Sequence, residues 1–230
     1  MQQESDEELD VEAGYAAWAA TYDDDGNPLV AIEGPAVMAW MPPKRDGLAL
    51  DLGCGTGRHT LSLVEAGFRV WALDQSAEMM DRAKAKCPSP RVCWVRHNLG
   101  QRLPLSSSTF DVIVLGLVIE HLQELSGVFG ELVRVLAPGG RCIASALHPD
   151  RTGAGQRARF IDPSTGLRRP IKTYHRTIDE YIRAGTAAGL TLEGEQSLVV
   201  TAELGTRLPR AIPYEGRSLG WVGCWSLPPG

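Results

Sequence analysis

The middle of this 230-residue chain alternates short apolar runs with helical patterns. Five apolar runs are predicted as strands: residues 47–53, 68–74, 91–98, 110–118 and 141–148. The segments TGRHTLSLVEAG, SAEMMDRAKAKC and ELVRVLA have the spacing of helices, and the last is expected to end at Pro138-Gly139-Gly140. Continuous apolar strands separated by helices are typical of a parallel sheet that is covered on both faces. The alternation therefore predicts a doubly wound α/β fold.

The start of the chain departs from this alternation. An acidic tail over residues 1–10 is expected to be disordered, because it is rich in charge and poor in apolar side chains. Residues 11–43 are predicted to form a helical cap on which Tyr15, Trp18 and Tyr22 share one apolar face. We expect everything after the tail to form one domain.

The end of the chain departs from the alternation as well. Residues 149–175 form a predicted loop that is rich in glycine, proline and arginine. Residues 176–230 predict a helix, RTIDEYIRAGTAAG, and two strands, TLEGEQSLVV and SLGWVGCWSL. Since no helical pattern separates these two strands, they are predicted to pair like a hairpin, with the last strand antiparallel to the rest of the sheet.

Composition restricts the partners and the compartment. A net charge of −5 argues against a general nucleic-acid binder. The five cysteines include no CxxC pair, which indicates reduced thiols and neither a disulfide framework nor a metal site. The longest apolar run, residues 112–119, is too short to span a bilayer, and the acidic start is unlike a secretory signal. We therefore expect a cytoplasmic protein without a membrane segment.

The stretch ALDLGCGTGRHT, residues 49–60, is a strand-to-helix turn at the place where open α/β sheets bind their ligands. Its glycines alternate, and Arg58 stands where a dinucleotide fingerprint has its third glycine. A phosphate-binding Gly-Lys-Ser/Thr sequence does not follow the turn. Asp74 ends the next strand, where a carboxylate can accept hydrogen bonds from both hydroxyls of a ribose. The pattern predicts a nucleoside ligand with a free ribose and little phosphate.

These residues together resemble a known family. DLGCGTG, the later Asp74, FDVIV and LAPGG resemble the motifs of the class I S-adenosylmethionine-dependent methyltransferases, most densely over residues 47–147. The subgroup that the chain resembles acts on small molecules and carries an N-terminal helical cap. The resemblance implies a Rossmann-like sheet of seven strands with an antiparallel last strand. It also implies S-adenosyl-L-methionine as the cofactor, bound by a core over residues 47–148.

The resemblance implies a set of cofactor-binding residues along the strand ends: Tyr22, Asp51, Gly53, Cys54, Gly55, Gly57, Asp74, Gln75, Met79, Asn98, Leu99 and Leu115. Asp74 would bind the ribose, and Asp51 and the Leu115 carbonyl would hold the methionine amine. Asn98 departs from the family, which often has an acidic residue there, although its side-chain carbonyl can still accept a hydrogen bond. Cys54 is interpreted as a small residue of the turn and not as a nucleophile.

A general base is needed only where the methyl acceptor must lose a proton early. The candidates are His121, His148 and His175, which lie near strand ends. His121 follows the fourth strand in VIEHL, and the alternative for it is a structural imidazole. Glu120 and Asp150 rank below the histidines, as solvated or capping carboxylates, and His59 is expected to face solvent.

The acceptor site is expected under the cap and the basic loop. Seven basic side chains stand against one acid between residues 151 and 176, so Arg168 and Arg169 are candidates to bind a carboxylate or phosphate of the acceptor. The alternative is a solvated basic loop. Tyr15 and Tyr22 are predicted lid residues that exclude water from the site.

The resulting hypothesis is methyl transfer to an O, N or C atom of a small metabolite, by a monomer or homodimer. Four alternatives remain open: a reaction of the same fold and cofactor such as cyclisation, an RNA methyltransferase, an NAD-dependent dehydrogenase and a non-catalytic binding module. The missing third glycine argues against the dehydrogenase, and the net charge disfavours a nucleic-acid acceptor.

Overall fold

The computed structural model describes residues 8–24, 26–42 and 46–229. Its strands are β1 (Leu48–Leu52), β2 (Arg69–Asp74), β3 (Val92–Arg96), β4 (Phe110–Leu115), β5 (Leu136–Leu147), β6 (Arg159–Ile161), β7 (Arg168–Pro170), β8 (Thr191–Val199) and β9 (Ser218–Ser226). Its helices are α1 (Val11–Trp18), α2 (Pro28–Ala39), α3 (Arg58–Glu65), α4 (Ala77–Lys86), α5 (Leu125–Val135), α6 (Pro149–Gly153), α7 (Ile178–Ala187) and α8 (Ala202–Arg207). Short 3-10 turns cover Tyr22–Asp24, Ile119–His121 and Pro209–Tyr214. Residues 1–7 of the predicted tail, Asp25 and Pro43 of the predicted cap, and Gly230 at the end of the predicted C-terminal region lie outside the described residues.

Seven strands form one sheet in the order β3-β2-β1-β4-β5-β9-β8. β1 pairs in parallel with both β2 and β4, so the strand order reverses there and opens a crevice at the carboxyl ends. β9 is antiparallel to both β5 and β8. The predicted seven-stranded sheet, mostly parallel with an antiparallel last strand, is confirmed.

Helices cover both faces of the sheet, as predicted. On one face, Phe129 of α5 and Tyr181 of α7 pack with the indole rings of β9. On the other face, Leu63 of α3 and Met80 of α4 pack in one cluster with Val37 of α2. The second cap helix therefore belongs to the helical layer on this face, whereas α1 lies over the carboxyl edge of the sheet.

The start of α1 is tied to the segment that follows β5. Asp10 caps the helix by accepting a hydrogen bond from the Ala13 N–H at 2.9 Å. The Leu9 N–H donates to the Pro170 carbonyl at 2.9 Å, and Arg157 pairs with Glu8 at 2.8 Å. The prediction of a disordered tail over residues 1–10 is therefore wrong for residues 8–10, because backbone and charge partners from a distant segment hold them.

The predicted loop over residues 149–175 contains regular structure. It forms α6 and the antiparallel pair β6 and β7, which lie against α1. Phe160 stacks on Trp18 with ring centroids 5.6 Å apart. A Cβ on Gly14 would come within 2.7 Å of the Ile171 side chain, so glycine allows this close packing.

Two further expectations need correction. α8 and a 3-10 turn separate β8 from β9, so the two strands pair in antiparallel but are not a simple hairpin. Pro138-Gly139-Gly140 lies inside β5, which begins directly after α5 at Leu136. Within β5, hydrogen bonds that join Gly139 and Gly140 to Leu227 decide the structure against the local residue signals.

Within the described residues, no helix combines the length and the hydrophobicity that crossing a membrane requires.

Candidate active site

A cavity of about 280 Å³ lies at the carboxyl ends of β1, β2 and β4. Ten residues predicted from the sequence line it: Tyr15, Tyr22, Gly53, Gly55, Asp74, Gln75, Met79, Asn98, Leu99 and His121. Sequence reasoning missed the rest of the lining: Val11, Gly100, Gly116, Leu117, Val118, Leu122 and Gln123. We call this space the first cavity.

The glycine turn forms one wall of the first cavity. The Gly53 and Cys54 N–H groups donate to the Leu73 carbonyl at 2.7 and 2.9 Å, which ties the turn to β2. Gly53 has φ +78°, and a Cβ there would come within 2.5 Å of Val118. At Gly55, with φ +52°, no atom lies within 4 Å of the position of a Cβ. This open space beside the backbone is what close approach of a ligand requires.

Asp74 fixes the same turn and faces the first cavity. One carboxylate oxygen accepts a hydrogen bond from the Gly55 N–H, and the other accepts one from the Ser76 N–H, each at 2.8 Å. Burial raises the pKa of Asp74, while the two backbone N–H groups lower it. Each oxygen keeps lone pairs with which it can accept a hydroxyl hydrogen.

Four predicted cofactor residues do not line the first cavity: Asp51, Cys54, Gly57 and Leu115. Asp51 accepts a hydrogen bond from the Thr60 hydroxyl at 2.5 Å, and both side chains are buried. A Cβ on Gly57 would come within 2.9 Å of Ala83, so this glycine serves the packing of α3 against α4. Burial also raises the pKa of the Cys54 thiol well above its usual value, which keeps the thiol protonated.

His121 is the predicted catalytic histidine that lines the first cavity. Its Nδ1 lies 2.6 Å from the Lys172 carbonyl oxygen and its Nε2 lies 2.9 Å from the Tyr15 hydroxyl. Because a carbonyl can only accept, Nδ1 carries the hydrogen. In the neutral ring Nε2 is then the acceptor, and the Tyr15 hydroxyl donates to it.

The other two predicted catalytic histidines lie away from both cavities described in this section. His148 is buried, its Nδ1 accepts the Asp150 N–H, and its Nε2 lies 3.1 Å from the Ser197 hydroxyl. His175 is exposed and bonds to the Thr152 hydroxyl at 2.9 Å. The positions correct these two predictions: His148 caps α6, and His175 holds the segment that precedes α7.

Glu33 is a functional candidate that sequence reasoning missed. Its side chain is fully buried and contacts Arg58, His59 and Ser145. Burial alone would raise the pKa of Glu33, but His59, Arg58 and Ser145 outweigh it and lower the pKa to about 2. His59 is therefore buried against a carboxylate and does not face solvent, contrary to expectation. The Ser145 hydroxyl also accepts the Leu117 N–H at 2.9 Å, so the network reaches the cavity wall.

A second cavity of about 430 Å³ adjoins the first. Tyr15, Tyr22 and Leu117 line both spaces. Five arginines also line the second cavity: Arg151, Arg157, Arg159, Arg168 and Arg210. Of the two arginines that were predicted to bind the acceptor, Arg168 lines the second cavity and Arg169 does not.

Within the described residues, no group of three or more His, Cys, Asp or Glu side chains is arranged to hold a metal ion.

Comparison with known families gives a match that covers part of the first cavity's lining. Residues 50–144, which run from β1 into β5, match the family model described as a methyltransferase domain. Over these residues the chain is similar to methyltransferases. The glycine turn and Asp74 both lie within the matched residues.

Curated relatives match part of the chain. A biotin biosynthesis bifunctional protein of Cellvibrio japonicus is 35% identical over 60% of this chain and 27% of its own. A demethylmenaquinone methyltransferase of Lactiplantibacillus plantarum is 35% identical over 41% of this chain and 42% of its own. The chain thus spans less than half the length of these two relatives.

Solved structures share the fold. An S-adenosylmethionine-dependent methyltransferase from Mesorhizobium loti superimposes with a TM-score of 0.72 at 24% identity, over 87% of this chain and 100% of that chain. A [4+2]-cyclase superimposes with a TM-score of 0.64 at 18% identity, over 86% of this chain and 81% of that chain. The same fold therefore occurs in proteins named for different reactions.

The residues of the first cavity fit S-adenosylmethionine. The Asp74 carboxylate suits a ribose diol, the space beside Gly55 lets a ligand lie against the backbone, and Met79 and Leu99 offer apolar surface to a base. The Asn98 side-chain carbonyl is already occupied by the Gly100 N–H at 2.9 Å. A carbonyl oxygen has two lone pairs, so this contact does not prevent Asn98 from accepting a second hydrogen bond.

Proposed function

We propose that the protein transfers the methyl group of S-adenosylmethionine to an O, N or C atom of a small acceptor that carries an anionic group. One observation carries this proposal: a cavity formed by the methyltransferase motif shares a wall with a cavity lined by five arginines. The two cavities would hold the donor and the acceptor side by side.

The cofactor supplies an activated methyl group on a positively charged sulfur, so the chain must chiefly orient the acceptor and exclude water. Asp74 and the glycine turn would hold the ribose and the methionine part. Tyr15 and Tyr22 form the shared wall together with Leu117, and they would shield the reacting atoms from solvent. Burial raises the pKa of Tyr22 to about 12, so its hydroxyl stays neutral and does not act as a base at physiological pH.

Arg151 is the arginine that best supports an anionic acceptor. Its guanidinium lies 5.4 Å from the centre of the Tyr214 ring, and both residues line the second cavity. This stacking orients the planar fork, which can bind a carboxylate or phosphate with two hydrogen bonds. Arg157, by contrast, is paired with Glu8.

Two measurements test the function. In a thermal shift assay, S-adenosylhomocysteine should raise the melting temperature, whereas NAD should leave it unchanged. Transfer of labelled methyl from S-adenosylmethionine is then measured on a panel of small carboxylates and phosphates, with RNA as a separate arm. Transfer to a small anion supports the proposal. Binding of S-adenosylhomocysteine without transfer to any acceptor would support a reaction such as cyclisation instead.

The anionic acceptor has its own test. Arg151→Ala should raise the acceptor KM by about tenfold or more, since a charge-assisted hydrogen bond is lost. Arg183→Ala is the matched control, because Arg183 is exposed on α7 and lines neither cavity. Equal KM values for the two variants would reject the anion-binding role.

A cytoplasmic location and a monomeric or homodimeric state remain predictions. Fractionation of the source cells would test the location, and sedimentation of the purified chain would test the oligomeric state.

A further inference from the structure

Glu120 lies in the second cavity beside the wall that both cavities share. It belongs to the 3-10 turn Ile119–His121, and 3% of its surface is exposed. One carboxylate oxygen, Oε1, accepts the Leu147 N–H at 2.9 Å. The other, Oε2, is buried and has no hydrogen-bond partner among the described residues.

An unpartnered carboxylate oxygen is unusual in a protein interior, because burial removes the water that would solvate it. The sequence offers solvation or capping as roles for Glu120, and the observed burial excludes the first. The bond to Leu147 engages Oε1 alone. Oε2 is therefore left without a hydrogen-bond partner on a residue that lines the second cavity.

Titratable and charged groups face Glu120 from each neighbouring segment: His121 beside it, Tyr15 of α1, Tyr22, Glu33 of α2, Arg151 of α6 and Tyr181 of α7. Burial raises the pKa of Glu120, and the neighbouring His121 opposes this shift. A raised pKa makes the carboxylate a better proton acceptor than an ordinary surface glutamate.

We propose that Oε2 of Glu120 accepts the hydrogen of the O–H or N–H group that is methylated. This inference rests on the proposed function and adds that the acceptor is a heteroatom nucleophile with a hydrogen to lose. The bond between that hydrogen and the heteroatom breaks, and its electron pair stays on the heteroatom. A lone pair of the heteroatom forms the new bond to the methyl carbon, and the carbon–sulfur bond of the methyl donor would break with its electron pair kept by sulfur, which leaves S-adenosylhomocysteine. The proton ends on Oε2. Glu120 is then a catalytic residue, and the Tyr15–His121 pair is part of the wall.

The same cavity indicates the shape of a suitable probe. Trp18, Phe160 and Tyr214 give it aromatic walls, while Glu120 and Arg151 supply an acceptor group and an anion-binding group. A flat ring with a hydroxyl and a carboxylate matches these features. 4-Hydroxybenzoate is such a molecule, and benzoate is the matched compound without the hydroxyl.

The test is calorimetric binding of both probes to the protein saturated with S-adenosylhomocysteine. We expect the unmodified protein to bind 4-hydroxybenzoate at least about fivefold more tightly than benzoate. Glu120→Ala should abolish this preference. Glu124→Ala is the matched control, since Glu124 is exposed and its side chain caps nothing, and it should keep the preference. No binding of either probe, equal binding of both, or a preference that survives in Glu120→Ala would overturn the proposal.

A second variant separates catalysis from folding. Glu120→Gln keeps a carbonyl oxygen for the Leu147 N–H but cannot take up a proton at neutral pH. With an acceptor identified by the methyl-transfer panel, its kcat should fall by about 100-fold or more, with a small change in KM. The thermal shift with S-adenosylhomocysteine should persist in all Glu120 variants. If the unmodified protein lacks that shift, the proposed function fails; if the shift persists and Glu120→Gln turns over normally, only this inference fails.

Discussion

The Ser145 hydroxyl donates a hydrogen bond to Glu33 at 2.5 Å, across 112 positions of the sequence. Glu33 comes from α2 and Ser145 from β5, and the same hydroxyl accepts the N–H of Leu117, which has φ +60°. A left-handed leucine is strained by roughly 1–2 kcal/mol, so its conformation needs such support. Glu33 thereby links the second cap helix to the wall between the two cavities.

Glu33→Gln is expected to lower the free energy of unfolding by about 3 kcal/mol, because Arg58 and His59 lose the buried carboxylate that they face. Urea denaturation measures this loss. Because the pKa of Glu33 is lowered from 4.5 to about 2, the stabilisation is complete above pH 4.5 and is lost as the pH falls toward 2. The difference between the two proteins should therefore shrink over that range. Glu65→Gln, on the exposed end of α3, is the control and should change stability by less than about 0.5 kcal/mol.

Asp74→Asn should weaken S-adenosylhomocysteine binding at least about tenfold, or about 1.4 kcal/mol. The amide has one oxygen, so it cannot accept from the Gly55 and Ser76 N–H groups and from two ribose hydroxyls together. Titration calorimetry measures the affinity. Asp81→Asn, whose side chain is 74% exposed on α4, should bind like the unmodified protein. Unchanged affinity in Asp74→Asn would remove Asp74 from the cofactor site.

Gly53→Ala should destabilise the protein by about 3 kcal/mol, since a left-handed backbone and a clash with Val118 act together. Gly155→Ala separates the two costs. Its φ of +79° is nearly the same as that of Gly53, but no atom lies within 4 Å of the Cβ position. We expect Gly155→Ala to cost about 1 kcal/mol. Thermal unfolding should also show that the double variant with Val118→Ala recovers part of the loss at position 53. Equal losses in the two single variants would contradict the role of the clash.

Tyr22 should not ionise before the protein unfolds in alkali. Burial raises its pKa from 10 to about 12, so folding is favoured below pH 10 and this contribution is lost as the pH rises to 12. In a titration of tyrosinate absorbance, the folded protein and Tyr22→Phe should give the same increase up to about pH 11. A smaller increase in the variant would show that Tyr22 is open to solvent.

The sheet and the glycine turn could be predicted because both depend on residues that are close in sequence. Strand runs between helices determine a parallel sheet, and the left-handed conformations of Gly53 and Gly55 are a property of the turn itself. The position of Asp74 could be predicted for the same reason. Asp74 ends β2, and adjacent parallel strands end at the same edge of the sheet. The roles of the individual cofactor residues remain predictions.

The structure of the basic segment after β5 could not be predicted from neighbouring residues. Its residue types resemble a loop, but strand pairing between β6 and β7 and the stacking of Phe160 on Trp18 make it a folded wall. Trp18 lies more than a hundred positions away from Phe160 along the chain. Local propensity carries no signal for this contact.

The sequence by itself determined the fold class and the position of the glycine turn, because each follows from local periodicity or a short motif. Tertiary structure alone decided which charged groups are buried and have shifted pKa values. Glu33 and Glu120 look like ordinary helix and turn residues, and burial among distant side chains sets their pKa values and their partners. Desolvation is a property of the packed molecule, so no pattern in the sequence around these two glutamates could have revealed it.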